Sequence, residues 1–149
     1  MAGSLAHSPA DILRYSLIAL GLGADPTAVS PTWPIYVGAE PNVPDNVITL
    51  YDTEGRSDGR MNPTGERAEH HGIQVRVRAI NHTTGYAKAR AIAVALDESI
   101  VLTTVTISGT TYLIHAVSRT SDVIPLGKDV STSKRSLFTI NALAALVSM

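Results

Sequence analysis

His70-His71 is the most tempting pair in this chain, since imidazoles are common metal ligands. Adjacent residues on an extended chain point to opposite sides, so the two cannot chelate one ion without a turn. Neither an HExxH helix nor a carboxylate at ligand spacing accompanies them. The pair reads as solvated, and His7, His82 and His115 stand isolated. For nucleophilic catalysis there is no GxSxG elbow. Ser108-Gly109 sits between two apolar runs, which signals a hairpin rather than a strand-to-helix turn. Gly21-Leu22-Gly23 follows a helix, the wrong order for a phosphate-binding turn. Asp97-Glu98 closes a helix face and reads as solvated. The absence of cysteine removes disulfides, thiolate metal sites and cysteine nucleophiles. The sequence calls for no catalytic residue, no metal and no other cofactor.

The cations are more informative. Arg76 and Arg78 share the polar side of a strand, while Arg56, Arg60 and Arg67 lie in a long polar stretch. A nucleic-acid reading wants aromatic stacking partners and a basic excess. No aromatic is interleaved here, and Glu54, Asp58, Glu66 and Glu69 neutralise the stretch. Across the chain, 12 Lys+Arg against 13 Asp+Glu leave a formal charge of −1, which argues against a dedicated nucleic-acid binder. Two readings stay open: a solvated face, or an alternating-charge surface that meets copies of itself, where both signs find partners.

A chain of 149 residues, 44% hydrophobic and 17% charged, has the length and composition for one folded domain with a sizeable core. No run approaches the roughly 18 apolar residues of a membrane span. Met1 to Ser8 lacks a basic start and an apolar stretch, so the expectation is a soluble protein made in the cytoplasm.

The positioning elements follow from pattern. Ser8 as N-cap, Pro9 at the first helical position and a Leu13-Leu17-Leu20 stripe predict a helix over Pro9–Leu20, stopped by Gly21 and Gly23. Five prolines between Ala24 and Asn46 leave room only for a short edge strand at Trp33–Val37. Val47–Asp52 is a β-branched run, and Glu54–His71 has no apolar period and reads as a long loop. Ile73–Ile80 alternates cleanly, with Ile73, Val75 and Val77 opposite Gln74, Arg76 and Arg78. Tyr86–Ile100 reads as a second helix after an Asn81–Gly85 turn. Leu102–Ile107 and Thr111–Arg119 form a hairpin across Ser108-Gly109-Thr110. Ser121–Lys134 is a second polar loop, Arg135–Leu143 the last strand, and the tail to Met149 either helical or frayed. The expected architecture is α+β: a single, mostly antiparallel sheet with two helices packed on one face and long polar loops.

An ordered set of segments carries a family likeness. It runs from Pro41-Asn42-Val43-Pro44-Asp45-Asn46-Val47-Ile48-Thr49-Leu50-Tyr51-Asp52 through Ile73-Gln74-Val75-Arg76-Val77-Arg78 to Gly85-Tyr86-Ala87-Lys88-Ala89-Arg90-Ala91. It continues with Arg119-Thr120-Ser121-Asp122-Val123-Ile124-Pro125-Leu126-Gly127-Lys128-Asp129 and ends on Arg135-Ser136-Leu137-Phe138-Thr139-Ile140-Asn141. Together these resemble the tail terminator or minor capsid (tail completion) proteins of long-tailed bacteriophages. The resemblance implies a non-enzymatic virion subunit that assembles as a ring, with six copies expected. Such a ring caps the tail tube, ends its polymerisation and offers a surface to the neck or connector proteins of the head. DNA would meet it only in passing through the channel, and no membrane is involved. The place implied is the tail or neck of the virion, reached from the host cytoplasm.

On that reading Arg56, Arg60, Arg67 and His70 are candidates for a subunit or tube contact in the first polar stretch. Arg76 and Arg78 are candidates for an interface or channel lining, and Lys128 and Lys134 for a contact in the second. A neck or head–tail connector protein is the near alternative. A small hydrolase and a standalone binding module are the alternatives of different class.

Overall fold

A computed structural model describes residues 5–60, 67–129 and 134–149, with the backbone course alone at 56–60 and 67–69. Helix α1 (Pro9–Ala19) starts where its cap dictates: the Ser8 hydroxyl accepts from the Asp11 amide at 3.2 Å, and Pro9 occupies the first turn. It buries Ala10, Ile12, Leu13 and Leu17, and Gly21, at φ 76°, lets the chain turn away. Helix α2 (His82–Glu98) begins four residues earlier than the apolar stripe suggests. Asn81 is its N-cap, accepting from the Thr84 amide at 2.8 Å, so residues 82–85 form a first helical turn. Gly85 sits inside that turn because a Cβ there would press into the ring of Phe138.

Seven strands follow in one sheet: β1 (Ile35–Val37), β2 (Val47–Arg60), β3 (Arg67–Ala79), β4 (Thr103–Ile107), β5 (Thr110–Arg119), β6 (Ile124–Lys128) and β7 (Ser136–Ser148). Their order is β1-β2-β3-β7-β5-β4, with β6 paired to β7 beside β5. β1 runs parallel to β2, and the other pairs are antiparallel. The hydrophobic core joins both helices to the inner side of the sheet through Ile12, Leu17, Ile48, Val75, Leu96, Phe138 and Ile140.

This corrects the expected α+β architecture. Strand outweighs helix by 45% to 22%, and the sheet is a single curled, mixed half-barrel rather than a flat, mostly antiparallel layer flanked by long loops. Most of the predicted loop at 54–71 is strand: β2 continues to Arg60 and β3 starts at Arg67. The second predicted loop contains β6, and the tail continues β7 to Ser148. A backbone ladder needs a neighbouring strand, and polar side chains can pair as well as apolar ones. Composition therefore hid these strands. The curl has local causes as well, in register shifts between Thr53 and Arg56, Ser57 and Arg60, Ile114 and Ala116, and Pro125 and Gly127.

Candidate assembly surface

Alternation along β3 places His70, Gln74, Arg76 and Arg78 on the side away from Ile73, Val75 and Val77. From Gly72 to Arg78 the registers with β2 and β7 are unbroken and extend this face sideways. Thr49, Arg76 and Thr139 form one cross-strand row, and Tyr51, Gln74 and Asn141 another, joined by a Gln74 Nε2 to Asn141 Oδ1 bond of 3.3 Å.

Part of this polar face is covered. The connection from β1 to β2 folds over it, and two arginines hold that segment down. Arg78, only 3% exposed, donates from Nη2 to the Pro44 carbonyl at 2.7 Å and from Nε to that of Asp45 at 3.3 Å. Burial pushes its guanidinium pKa down, while the Glu40 carboxylate 3.8 Å away works the other way. Arg135, 4% exposed, donates to Asp129 Oδ2 from Nε at 2.8 Å and from Nη2 at 2.5 Å. It also donates to the Asn42 carbonyl at 2.6 Å and to Asn42 Oδ1 at 3.1 Å. Asn46 adds an acceptor, its Oδ1 taking a hydrogen bond from the Ile80 amide at 2.9 Å. The Pro41–Asn46 run is thus a strap fastened by buried, charge-assisted hydrogen bonds.

The sequence-derived candidates separate into two groups at opposite ends of β3. At one end, the β2–β3 hairpin pairs Arg56 with His70 and Arg60 with Arg67, and His70 is also opposite Ala145 of β7. This hairpin bends where Gly55 and Gly72 cross, because a Cβ on Gly72 would collide with Thr53 and the Glu54 carbonyl. At the other end, Arg78 is level with Leu137 and Gly127, and Lys128 with Ser136 and Ala79. The exposed Lys134 lies beside them, its carbonyl 3.5 Å from Lys128 Nζ. Eight residues of strand between His70 and Arg78 amount to roughly 26 Å, so the eight candidate residues do not converge on one site.

Arg78 is a strap fastener rather than an exposed contact. Arg76 is the accessible member of the pair, its side chain 32% exposed and its Nε 3.7 Å from Glu40 Oε2. Sequence reasoning missed Arg135, Asp129, Glu40 and Asn42 as a network. The available signal was an arginine placed directly before an apolar strand, and it is a weak one. It also missed the exposed ion network in which Arg119 bridges Asp97 at 2.7 Å and Asp122 at 3.2 Å.

A surface with two separated polar regions and strands of mixed charge suits protein–protein contact better than chemistry on a small molecule. A family model described as bacteriophage tail terminator protein matches residues 16–142. The chain belongs to that family. It is a phage structural protein, with a role in tail completion and a place in the virion, and the tail terminator family is a structural rather than an enzymatic one. Among solved structures, it is similar to a chain from the virion of a native gene transfer agent (GTA) particle. The two are 14% identical at a TM-score of 0.47, over 77% of this chain and 78% of that one. No curated protein matches it by sequence.

Proposed function

We propose that this tail terminator closes head to tail into a ring, with six copies expected, that seats on the last tail-tube subunits and stops their polymerisation. The ring's other side offers the joining surface to neck or connector proteins, and DNA passes through its channel. Assembly takes place in the host cytoplasm, and the finished ring sits between tail and neck. The observation that carries this reading is family membership over residues 16–142. A heterologous contact suits the fold, because the two ends of the strand order present different surfaces, which is what head-to-tail closure requires.

In this ring the hairpin carrying Arg56, Arg60, Arg67 and His70 meets a neighbour or the tube. Arg76, Lys128 and Lys134 supply cations to a second contact or to the channel wall. Arg78 contributes by holding the strap beneath them.

Native mass spectrometry over a wide concentration range, alone and with purified tail tubes, tests the ring. A discrete closed oligomer that binds tube ends is the expected result, and a strict monomer in both settings would sink the reading. Copurification with tails rather than heads separates a terminator from a neck protein. Charge reversal at Arg76 should lengthen tails or lower infectivity, and unchanged tails would remove its assigned role.

A further inference from the structure

The sheet has several open edges, and two of them are guarded. β1 is three residues long, follows Pro34, and its Ile35 amide bonds to the Ala24 carbonyl at 3.0 Å. β6 contains Pro125, a register shift and Gly127 at φ 85°. β2 beyond Leu50 has no outer neighbour among the described residues, and its charges are of both signs, with Asp52, Glu54 and Asp58 against Arg56 and Arg60, so this edge is open. Proline, bulges and charge are the usual devices against edge-to-edge pairing.

β4 has none of them. Thr103-Thr104-Val105-Thr106-Ile107 is uncharged and regular, and among the described residues it pairs only with β5. Its exposed backbone groups can be assigned. The two-residue turn at Ser108-Gly109, with φ of 49° and 84°, makes Ile107 and Thr110 the hydrogen-bonded pair, and pairs alternate from there. Thr104 and Thr106 therefore aim their N–H and C=O groups away from the sheet. In agreement, Met149 N donates to the carbonyl of Thr111, the residue opposite Thr106, which turns that backbone toward β7. Beside this edge lies a cleft of about 250 Å³ lined by Tyr15, Leu20, Ile100 and Val105, with no charged residue on its wall.

The hairpin arm has the opposite deficit. Beyond His70, its two strands pair only with each other among the described residues. A two-stranded ribbon alone is marginally stable in water. β2 and β4 stand on opposite sides of the sheet order, four pairings apart, so they complete each other only between copies. We infer that β4 is the receptor for the arm of a second copy: the outer edge of β2, Tyr51–Arg60, adds as a strand to β4 of the neighbour, beside the α1 cleft. The join runs from one sheet end to the other sheet end, so it is heterologous, the class of contact from which a ring is built when the rotation between copies closes. It rests on the ring reading and names the surface through which that ring forms.

Because the chain has no cysteine, cross-linking tests it cleanly. A cysteine at Thr106 is combined in turn with one at Thr53, Glu54 or Arg56, and the full-length assembled protein is oxidised. At least one pair should give a ladder of linked copies up to the closed oligomer, since a disulfide needs Cα atoms about 4.4–6.8 Å apart. The single-cysteine variants should give no ladder. Thr106→Pro removes an outward N–H without touching the β4–β5 ladder. It also gives up the exposed Thr106–Thr111 hydroxyl bond of 3.0 Å, so Thr106→Val, which loses that bond but keeps the N–H, is its control: relative to Thr106→Val, the concentration for half-assembly should rise about tenfold with circular dichroism unchanged. Closed oligomers that form normally in Thr106→Pro and never cross-link would overturn this interface and leave the ring standing. A wild-type chain that is monomeric even with tube ends would overturn the ring itself.

Discussion

The two ends of β3 use arginine in opposite ways. Near Ala79, Arg78 points out of the alternating strand as a solvated residue would, yet the Pro41–Asn46 strap closes over it and its donors go to Pro44 and Asp45. Near Arg67, the strand carries arginines on itself and its partner and is covered by nothing among the described residues. The same side-chain type is a fastener at one end and a candidate contact at the other. What differs is whether backbone carbonyls are delivered to it, and those carbonyls come from a segment more than 30 residues earlier in the chain.

Removing Arg135 should break the strapped end most severely. Arg135→Ala takes from the buried Asp129 its forked guanidinium contact and from the Asn42 carbonyl that donor, at a cost of about 3–5 kcal/mol in chemical denaturation. Arg135→Lys should recover little of this, since a point charge cannot make the forked contact. Arg78→Ala should cost about 1.5–3 kcal/mol by the same measurement, for the loss of charge-assisted bonds to two carbonyls. If both changes were nearly neutral, the strap would not be fastened as described.

The arm end should respond in the reverse sense. Gly72→Val forces a side chain onto the neighbouring strand of the hairpin, with a stability loss of about 1–3 kcal/mol. Ring formation should suffer more than melting does. Wild-type assembly in this variant would separate the arm from the contact.

The smallest effect is expected at the exposed counterpart of the buried arginine. Arg119 holds Asp97 at the surface, so Asp97→Asn should cost under about 1 kcal/mol. The hydrogen bond from Arg119 lowers the Asp97 pKa below 3.8, against the opposing effect of burial. Its folded value lies below its unfolded one, so the carboxylate's contribution is present above the unfolded pKa and fades as pH falls through the folded one. Urea melts between pH 5 and pH 3 should therefore show a slightly shallower acid decline in Asp97→Asn than in the wild type.

How much was legible in the sequence varied with the kind of signal. Helix α1 was readable to within a residue, because Ser8, Pro9 and the leucine stripe act within one or two turns. The core of β3 was equally plain, since one buried and one polar side impose a period of two. The arm was not legible, because residues 54–60 and 67–71 have no apolar pattern, and the backbone ladder that joins them can form on any sequence. The family likeness was legible from ordered segments, and the family match bears it out. The eight candidate residues could be named from sequence, but not their division between two ends of a strand, nor the burial of Arg78.

The sequence alone determined what is local: caps, turns such as Ser108-Gly109, the alternating strand, the absence of cysteine chemistry and the balance of charge. The tertiary structure alone decided which polar runs became strands, how the sheet curled, which arginine was sealed under the strap and which edges stayed open. The physical reason is distance along the chain. Caps and periodicity act between residues a few positions apart, whereas a ladder or a buried ion pair needs a partner brought from afar, such as Asn42 to Arg135 across 93 positions.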